Sequence, residues 1–385
     1  MSSKAKREYF ESIQERYIKS NKEEKKKILD EFCRICDYNR KYAIRKLRSL
    51  PSKGNKYPLK KRKRGPRVKY GSKGILEFIK TTWVCTNLIC SKRLKAVILI
   101  WFPWYREREN ALTEKDKNLL KEISPSTIDR ILKKYRRRFG KQGLSTTKPG
   151  SLIREYVPIK TEQWDEKRPG FVEADTLAHC GGSLSGTFIY SVNLVDIATG
   201  WTSQRAVWGK GEYNVLQAIK SIEEELPFKI LGFDSDNGNE FLNWRLLKYF
   251  KKRKRPVSYT RSRPYKKNDN AHIEEKNWTI IRQYLDYKRF DKFGLVSLIN
   301  DLYSKHLNFF INFFIPSVKL IDKQRVGSKI IKWHDKPKTP YHRLIESKFT
   351  SKETKLNLKK QFEKLNPYKL QKTIRMKISN ILDLA

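Results

Sequence analysis

From Phe171 onward the spacing of apolar residues switches repeatedly between strand-like and helix-like periods, and that succession most limits the fold. Phe171 to Ala178 and Thr187 to Asp196 read as strands, and Trp201 to Trp208 makes a third after the Thr199-Gly200 turn. Tyr213 to Glu225 then reads as a helix, Phe228 to Phe233 as a strand, Asn243 to Lys252 as a helix and Val257 to Thr260 as a short strand. Helical spacing returns from Asn268 to about Tyr287. Three strands followed by helix–strand–helix–strand–helix predict an α/β sheet covered by helices.

Three acids stand where such a sheet can bring them together. Asp175 lies in the first strand, FVEADTLAH; Asp236 follows the fourth strand in LGFDSDNGNEF; Glu274 lies in the helix opening NDNAHIEEKNW. If strands one and four are neighbours and the helix packs across them, the three carboxylates converge. Converging carboxylates repel one another unless a cation sits between them. Oxygen-only ligation suits Mg²⁺ or Mn²⁺. Two such ions about 3.5–4 Å apart can activate an attacking oxygen and stabilise a leaving oxygen in phosphoryl transfer. Asp234 is the rival of Asp236, and Glu275 that of Glu274; Ile273, expected to face the core beside Ile280 and Ile281, favours Glu274. Asp196 reads as a turn residue, Glu240 as first-turn helix charge, and His179 and His272 as packing or DNA contacts.

These residues carry a resemblance. The words EADT (173–176), LVDIATGW (194–201), FDSDNGNEF (233–241), RSRPYKKNDNAHIEEKNW (261–278) and TPYHRL (339–344) resemble the DDE integrase and transposase superfamily. The resemblance is nearest to bacterial insertion-sequence transposases with an integrase core. It implies a ribonuclease-H-like mixed sheet with flanking helices, and catalytic, metal-binding roles for Asp175, Asp236 and Glu274. Asp236 and Glu274 are 38 positions apart (274 minus 236), close to the family's usual separation. The implied activity is DNA cleavage and strand transfer by a polynucleotidyl transferase. A catalytically silent DNA-binding derivative and a nuclease that cuts without joining are the alternatives. The His-His-Cys-Cys zinc module of retroviral integrases is not found.

The charge fits a polyanionic partner. Lys and Arg number 85 against 41 Asp and Glu, a net +44 that costs self-repulsion in an isolated protein. A Lys-rich codon bias alone leaves the abundance of Arg and the clustering unexplained. Arg40 to Arg48 reads as the second helix of a helix-turn-helix after Lys27 to Arg34, with Asp37 or Asn39 as its cap and Arg40, Lys41 and Arg45 as DNA contacts. The stretch KGNKYPLKKRKRGPRVKY (53–70) cannot form a core; with Lys61, Arg62, Lys63 and Arg64 it reads as an arm along phosphates rather than a solvated linker. A second helical block, about Ile75 to Arg138, includes a helix from Thr113 to Ile123. It ends in SPSTIDRILKKYRRR, with Ser124 or Ser126 as a cap, Ile128, Ile131, Leu132 and Tyr135 inward, and Arg130, Lys133 and Lys134 as further DNA contacts. Arg261, Arg263, Lys266 and Lys267 lie in RSRPYKKNDN, a basic loop suited to clamping DNA over the site.

The expected organisation is a helix-turn-helix region over 1–50, a basic arm over 51–72, a second helical DNA-binding region over 73–150, a catalytic core over 160–345 and a helical tail over 346–385. Double-stranded DNA is the expected partner, both element ends and target, with a homo-oligomer assembled on it. The run Ala96 to Tyr105 is too short for a membrane span and contains Pro103, so it reads as core. Five cysteines without a framework, and a polar N-terminus, suit a reducing bacterial cytoplasm. Cys33 and Cys36 read as two helix thiols rather than zinc ligands.

Overall fold

A computed structural model describes residues 1–49, 69–107, 112–136, 166–261, 273, 276–326 and 329–385. It divides into two compact units, Met1–Arg67 and Val68–Ala385.

The first unit is built from helices α1 (Ser3–Lys19), α2 (Lys22–Cys36) and α3 (Arg40–Leu47). Ser2, Asn21 and Asn39 each accept a hydrogen bond from a backbone N–H of the following first turn, the preferred chemistry for a helix start. Asn39 is therefore the cap of α3, while Asp37 closes α2 in the left-handed conformation at φ 54°. Phe32, Cys36, Ala43 and Leu47 are fully buried between the helices. Cys36 belongs to this core, its burial pushing the thiol pKa up, and Cys33 packs against it. Helix α1 was not anticipated, although Tyr9, Phe10, Ile13 and Tyr17 form its apolar stripe.

In the second unit α4 (Lys73–Cys85), α5 (Ser91–Trp101), α6 (Glu114–Glu122) and α7 (Pro125–Arg136) precede the sheet. Thr113 and Asp116 form a reciprocal capping box at α6, and the Ser124 hydroxyl accepts from Thr127 N–H to start α7. Ile128 and Leu132 of α7 are buried, leaving Arg130, Lys133 and Lys134 exposed.

The strands are β1 (Phe171–Ala178), β2 (Ile189–Asp196), β3 (Thr202–Trp208), β4 (Gly232–Ser235) and β5 (Ser258–Arg261), in sheet order β3-β2-β1-β4-β5. The first three pair antiparallel; β1, β4 and β5 pair parallel. This mixed sheet with flanking helices fits a ribonuclease-H-like core. β4 begins later than the apolar run suggested. Ile230 is buried, but the chain joins the sheet only after Leu231 and Gly232 donate to the Gly170 carbonyl.

Side chains alternate across a strand, so each face has its own layer. Val172, Ala174, Val192, Leu194, Val207 and Phe233 pack under α8 (Glu212–Glu225) and α9 (Trp244–Lys251). The opposite face meets α10, which joins a π-helical stretch Asn277–Arg282 to Gln283–Leu285. It also meets α11, continuous through Leu295–Leu302, Tyr303–Leu307 and Asn308–Phe314. Helices α4 to α7 share this second core, with Trp101 edge-on to Phe310. So do α12 (Pro340–Glu346), α13 (Lys352–Lys364) and α14 (Pro367–Leu384). The second helical block and the tail, delimited as separate regions in the sequence, thus pack on the same core as the sheet. A hairpin of β6 (Leu320–Val326) and β7 (Lys329–His334) was not foreseen. Among the described residues no helix is long and apolar enough to cross a membrane.

Candidate active site

The parallel ladder of β1 and β4 pairs Glu173 with Asp234 and Ala174 with Ser235. Asp175 and Asp236 follow on the next rung, where β4 has ended. Both are half-buried, so their carboxylates sit at the mouth of the sheet. The turn carrying Asp236 is pinned at both ends by aromatics in the core: Phe233 and Phe241 are fully buried with ring centroids 6.2 Å apart.

Asp175 Oδ1 accepts from Thr176 N–H at 2.8 Å, and Oδ2 from Asn277 Nδ2 at 2.6 Å. Asp236 Oδ1 accepts from Gly238 N–H at 3.0 Å, the Asx-turn that the Asn-Gly pair favours. Glu240 differs from its expected role as first-turn helix charge. It is 6% exposed, precedes α9, and its Oε1 accepts from Thr176 Oγ1 at 2.9 Å. A Cβ on Gly238 would lie 2.6 Å from Glu240 Oε2, so a glycine is what lets the turn close over this carboxylate. Lys210 Nζ stands 3.8 Å from the same oxygen. Glu240 was legible only as an acid near Asp236; its inward direction depends on how the turn folds back.

Burial and then the Asp236 charge push the Asp175 pKa well above the carboxylate range. Burial and then Glu240 do the same to Asp236, against the opposing pull of the Gly238 N–H and of Lys210. Carboxylates kept side by side although burial first, and neighbouring negative charge second, disfavour their ionised form are a hard-cation donor set, and all their donor atoms are oxygen. The chemistry of Asp175 and Asp236 therefore fits a divalent cation. Among the described residues, no three His, Cys, Asp or Glu side chains are grouped to hold a metal.

Glu274, Glu275 and His272 lie outside the described residues, as do Lys61, Arg62, Lys63, Arg64, Arg263, Lys266 and Lys267. Ile273 is fully buried and its N–H donates to Glu173 Oε2 at 3.3 Å, so the chain on either side of Glu274, at Ile273 and Asn277, touches β1. Asp234 is fully buried and accepts from Thr260 Oγ1 at 2.6 Å. Asp196 is the turn residue expected: Oδ2 accepts from Thr199 N–H and Oγ1, and Oδ1 from Gly170 N–H. His179 is fully buried, hydrogen-bonded to Ser191 Oγ at 2.8 Å, so it is a packing residue rather than a DNA contact.

The basic residues divide in the same way. Lys41, Arg45, Arg130, Lys133 and Lys134 are exposed; Arg40 is exposed too but is ion-paired with Asp30. Arg261 is 8% exposed and donates to Asn237 Oδ1 at 3.0 Å, bracing the turn beside Asp236.

No family model matches the chain. It is 35% identical to the uncharacterized protein y4rM of Sinorhizobium fredii (strain NBRC 101917 / NGR234), over an alignment covering 87% of this chain and 94% of that one. Among solved structures, the magnesium complex of the HTLV-2 integrase catalytic core is 16% identical with a TM-score of 0.29, spanning 39% of this chain and 91% of that one. The BIV integrase core is 14% identical with a TM-score of 0.26, over 45% and 91%. The simian T-cell lymphotropic virus intasome bound to the PP2A regulatory subunit B56 gamma is 13% identical with a TM-score of 0.30, over 55% and 67%.

Proposed function

This chain belongs to the family of the rhizobial protein y4rM, and from the geometry of its site we propose a metal-dependent DNA transposase or integrase that cleaves DNA and joins the freed end to a target. The observation that carries this reading is the placement of Asp175, within β1, beside Asp236, just past the end of the parallel neighbour β4. Glu274 is proposed as the third acid, because Ile273 and Asn277, on either side of it, both bond to β1 residues.

Asp175, Asp236 and Glu274 would hold one or two Mg²⁺ or Mn²⁺ ions, which supply Lewis-acid activation of oxygen and charge neutralisation in phosphoryl transfer. Thr176 N–H and Asn277 fix the Asp175 carboxylate, and the Asx-turn fixes that of Asp236. Orientation is thus set before substrate arrives. Lys210, 44% exposed at the rim, is placed to meet a phosphate. The exposed cations of α3 and α7 would bind the DNA backbone, and assembly on DNA as a homo-oligomer follows from the need to hold two ends.

The test is a strand-transfer assay with the full chain, Mg²⁺, and oligonucleotides copied from inverted repeats flanking the coding region. Joined products that vanish in Asp175→Asn and Glu274→Gln support the proposal. Cut but unjoined products would make the protein a nuclease, and binding without cleavage would overturn the enzyme reading.

A further inference from the structure

On the face of the sheet covered by α10, Asp175, Asn193 and Gln204 stand in one row across β1, β2 and β3. Their neighbours on that face include Leu177, Ile189 and Ala206, all in the apolar core. Asn193 and Gln204 are fully buried, and polar groups at such positions are costly unless hydrogen-bonded. Asn277, the first residue of the π-helical stretch of α10, drops into this row. Its Oδ1 accepts from Asn193 Nδ2 at 2.8 Å, and its Nδ2 donates to Asp175 Oδ2 at 2.6 Å. π-Helical turns inside helices are frequent at functional sites.

The row has a direction. Asn193 Oδ1 accepts from Thr202 Oγ1 at 3.1 Å and from Gln204 Nε2 at 2.9 Å, while the other Gln204 N–H goes to Thr202 Oγ1 at 2.6 Å. An amide has one donor end and one acceptor end. With its oxygen taken by two donors, Asn193 turns Nδ2 towards Asn277, and Asn277 in turn presents Nδ2 to Asp175. Gln204 Oε1 is left buried without a hydrogen-bond partner among the described residues. Turning Gln204 over would set oxygen against oxygen at Asn193. Reversing the whole row to relieve that would set the Asn277 oxygen against the Asp175 carboxylate. The unpaired Gln204 oxygen is therefore the mark of a row polarised towards Asp175.

We propose that Asn277 and Asn193 are positioning residues: the amide relay holds the Asp175 carboxylate in the one orientation that serves a divalent cation. The proposal rests on the reading of Asp175 as a metal ligand. Removing such outer partners of a metal ligand typically weakens metal binding by about ten- to a hundredfold.

The experiment measures Mn²⁺ binding to the full chain by the electron paramagnetic resonance of free Mn²⁺, alongside the Mg²⁺ concentration that half-saturates strand transfer. Asn277→Ala is expected to weaken Mn²⁺ binding by about ten- to a hundredfold and Asn193→Ala in the same direction by less. Because both act through one chain of bonds, the double variant should bind like Asn277→Ala alone; independent sites would add. Ser191→Ala, on the same buried face but outside the row, controls for general loosening and should bind as wild type. Unchanged binding in Asn277→Ala, additive losses in the double variant, or an equal loss in Ser191→Ala overturns the relay while leaving Asp175 as a ligand. If Asp175→Asn itself binds Mn²⁺ as well as wild type, the ligand reading falls and the relay with it.

Discussion

Thr176 Oγ1 donates to Glu240 Oε1 at 2.9 Å, tying strand β1 to the turn that follows β4 beside both candidate aspartates. Glu240 thereby adds a third negative charge that raises the pKa of Asp175 and of Asp236. Glu240→Gln keeps an acceptor for Thr176 and removes the charge. Both aspartates should then ionise at lower pH, so the acidic limb of the activity profile should move to lower pH. A limb that stays put, or moves upward, in a pH series of Mg²⁺-dependent cleavage would show that Glu240 does not act on the pair.

Burial, and that added negative charge, make the site a burden on stability. Each aspartate has a folded pKa above its unfolded value, so the neutral acid is favoured in the fold. Below the ordinary carboxylate pKa there is no penalty. It grows as pH rises from there through the raised values, because the unfolded chain then releases protons that the folded one retains. In chelator at pH 8, Asp236→Asn should therefore melt higher than wild type, by about 2–4 °C for each kcal/mol of charge burial and repulsion removed. At pH 4 the two should melt together. The asparagine can still accept from Gly238 N–H, so the Asx-turn survives. Equal melting temperatures at pH 8 would count against a charged pair.

How far the site could be read in advance follows from what each residue depends on. β1 runs from Phe171 to Ala178 as the sequence pattern predicts, because alternation and a following turn fix a strand locally. Asp175 and Asp236 were legible for the same reason: one is an acid within a strand, the other an acid before Asn-Gly. β4 was displaced because Phe228 and Ile230 supply the apolar signal while only Gly232–Ser235 enters the ladder. The Asn193–Asn277 relay was invisible. Nothing local in NLVD or KNW says that residues 84 apart in the chain share a hydrogen bond. Arg261 looked like a phosphate contact by composition, and only the fold turns it inward to Asn237.

The two acids of FDSD have separable roles. Asp234 pairs across the ladder with Glu173 and Thr260, is fully buried, and accepts from the Thr260 hydroxyl at 2.6 Å. Asp236 has left the strand and lies half-exposed beside Asp175. Asp236→Asn should abolish strand transfer, whereas Asp234→Asn should lower it by roughly ten- to a hundredfold through misplaced neighbours. Paired rates in Mg²⁺, with DNA binding as the control, decide it. An inactive Asp234→Asn beside an active Asp236→Asn would reassign the middle acid.

DNA binding by the first unit should be separable from the chemistry. Met1–Arg67 forms its own compact unit, with Phe32, Cys36 and Leu47 fully buried and every helix start capped. It should therefore fold as an isolated fragment. Lys41 and Arg45 on α3, and Arg48 just past its end, are exposed to solvent, while Lys46 is drawn back over the Tyr38 ring at 4.8 Å. The fragment should bind duplex DNA with an affinity that falls steeply with salt, since each phosphate neutralised contributes a slope of about −0.9 in log affinity against log salt. Arg45→Ala should reduce that slope by about one, and Lys46→Ala by less. Arg40→Ala, in contrast, removes the pair with Asp30 and tests the helix packing more than the DNA contact. Titration of a fluorescent duplex at several salt concentrations reads all three. A fragment that is helical by circular dichroism yet fails to bind at 50 mM salt, roughly the low-salt end where phosphate contacts are strongest, would remove DNA binding from this unit.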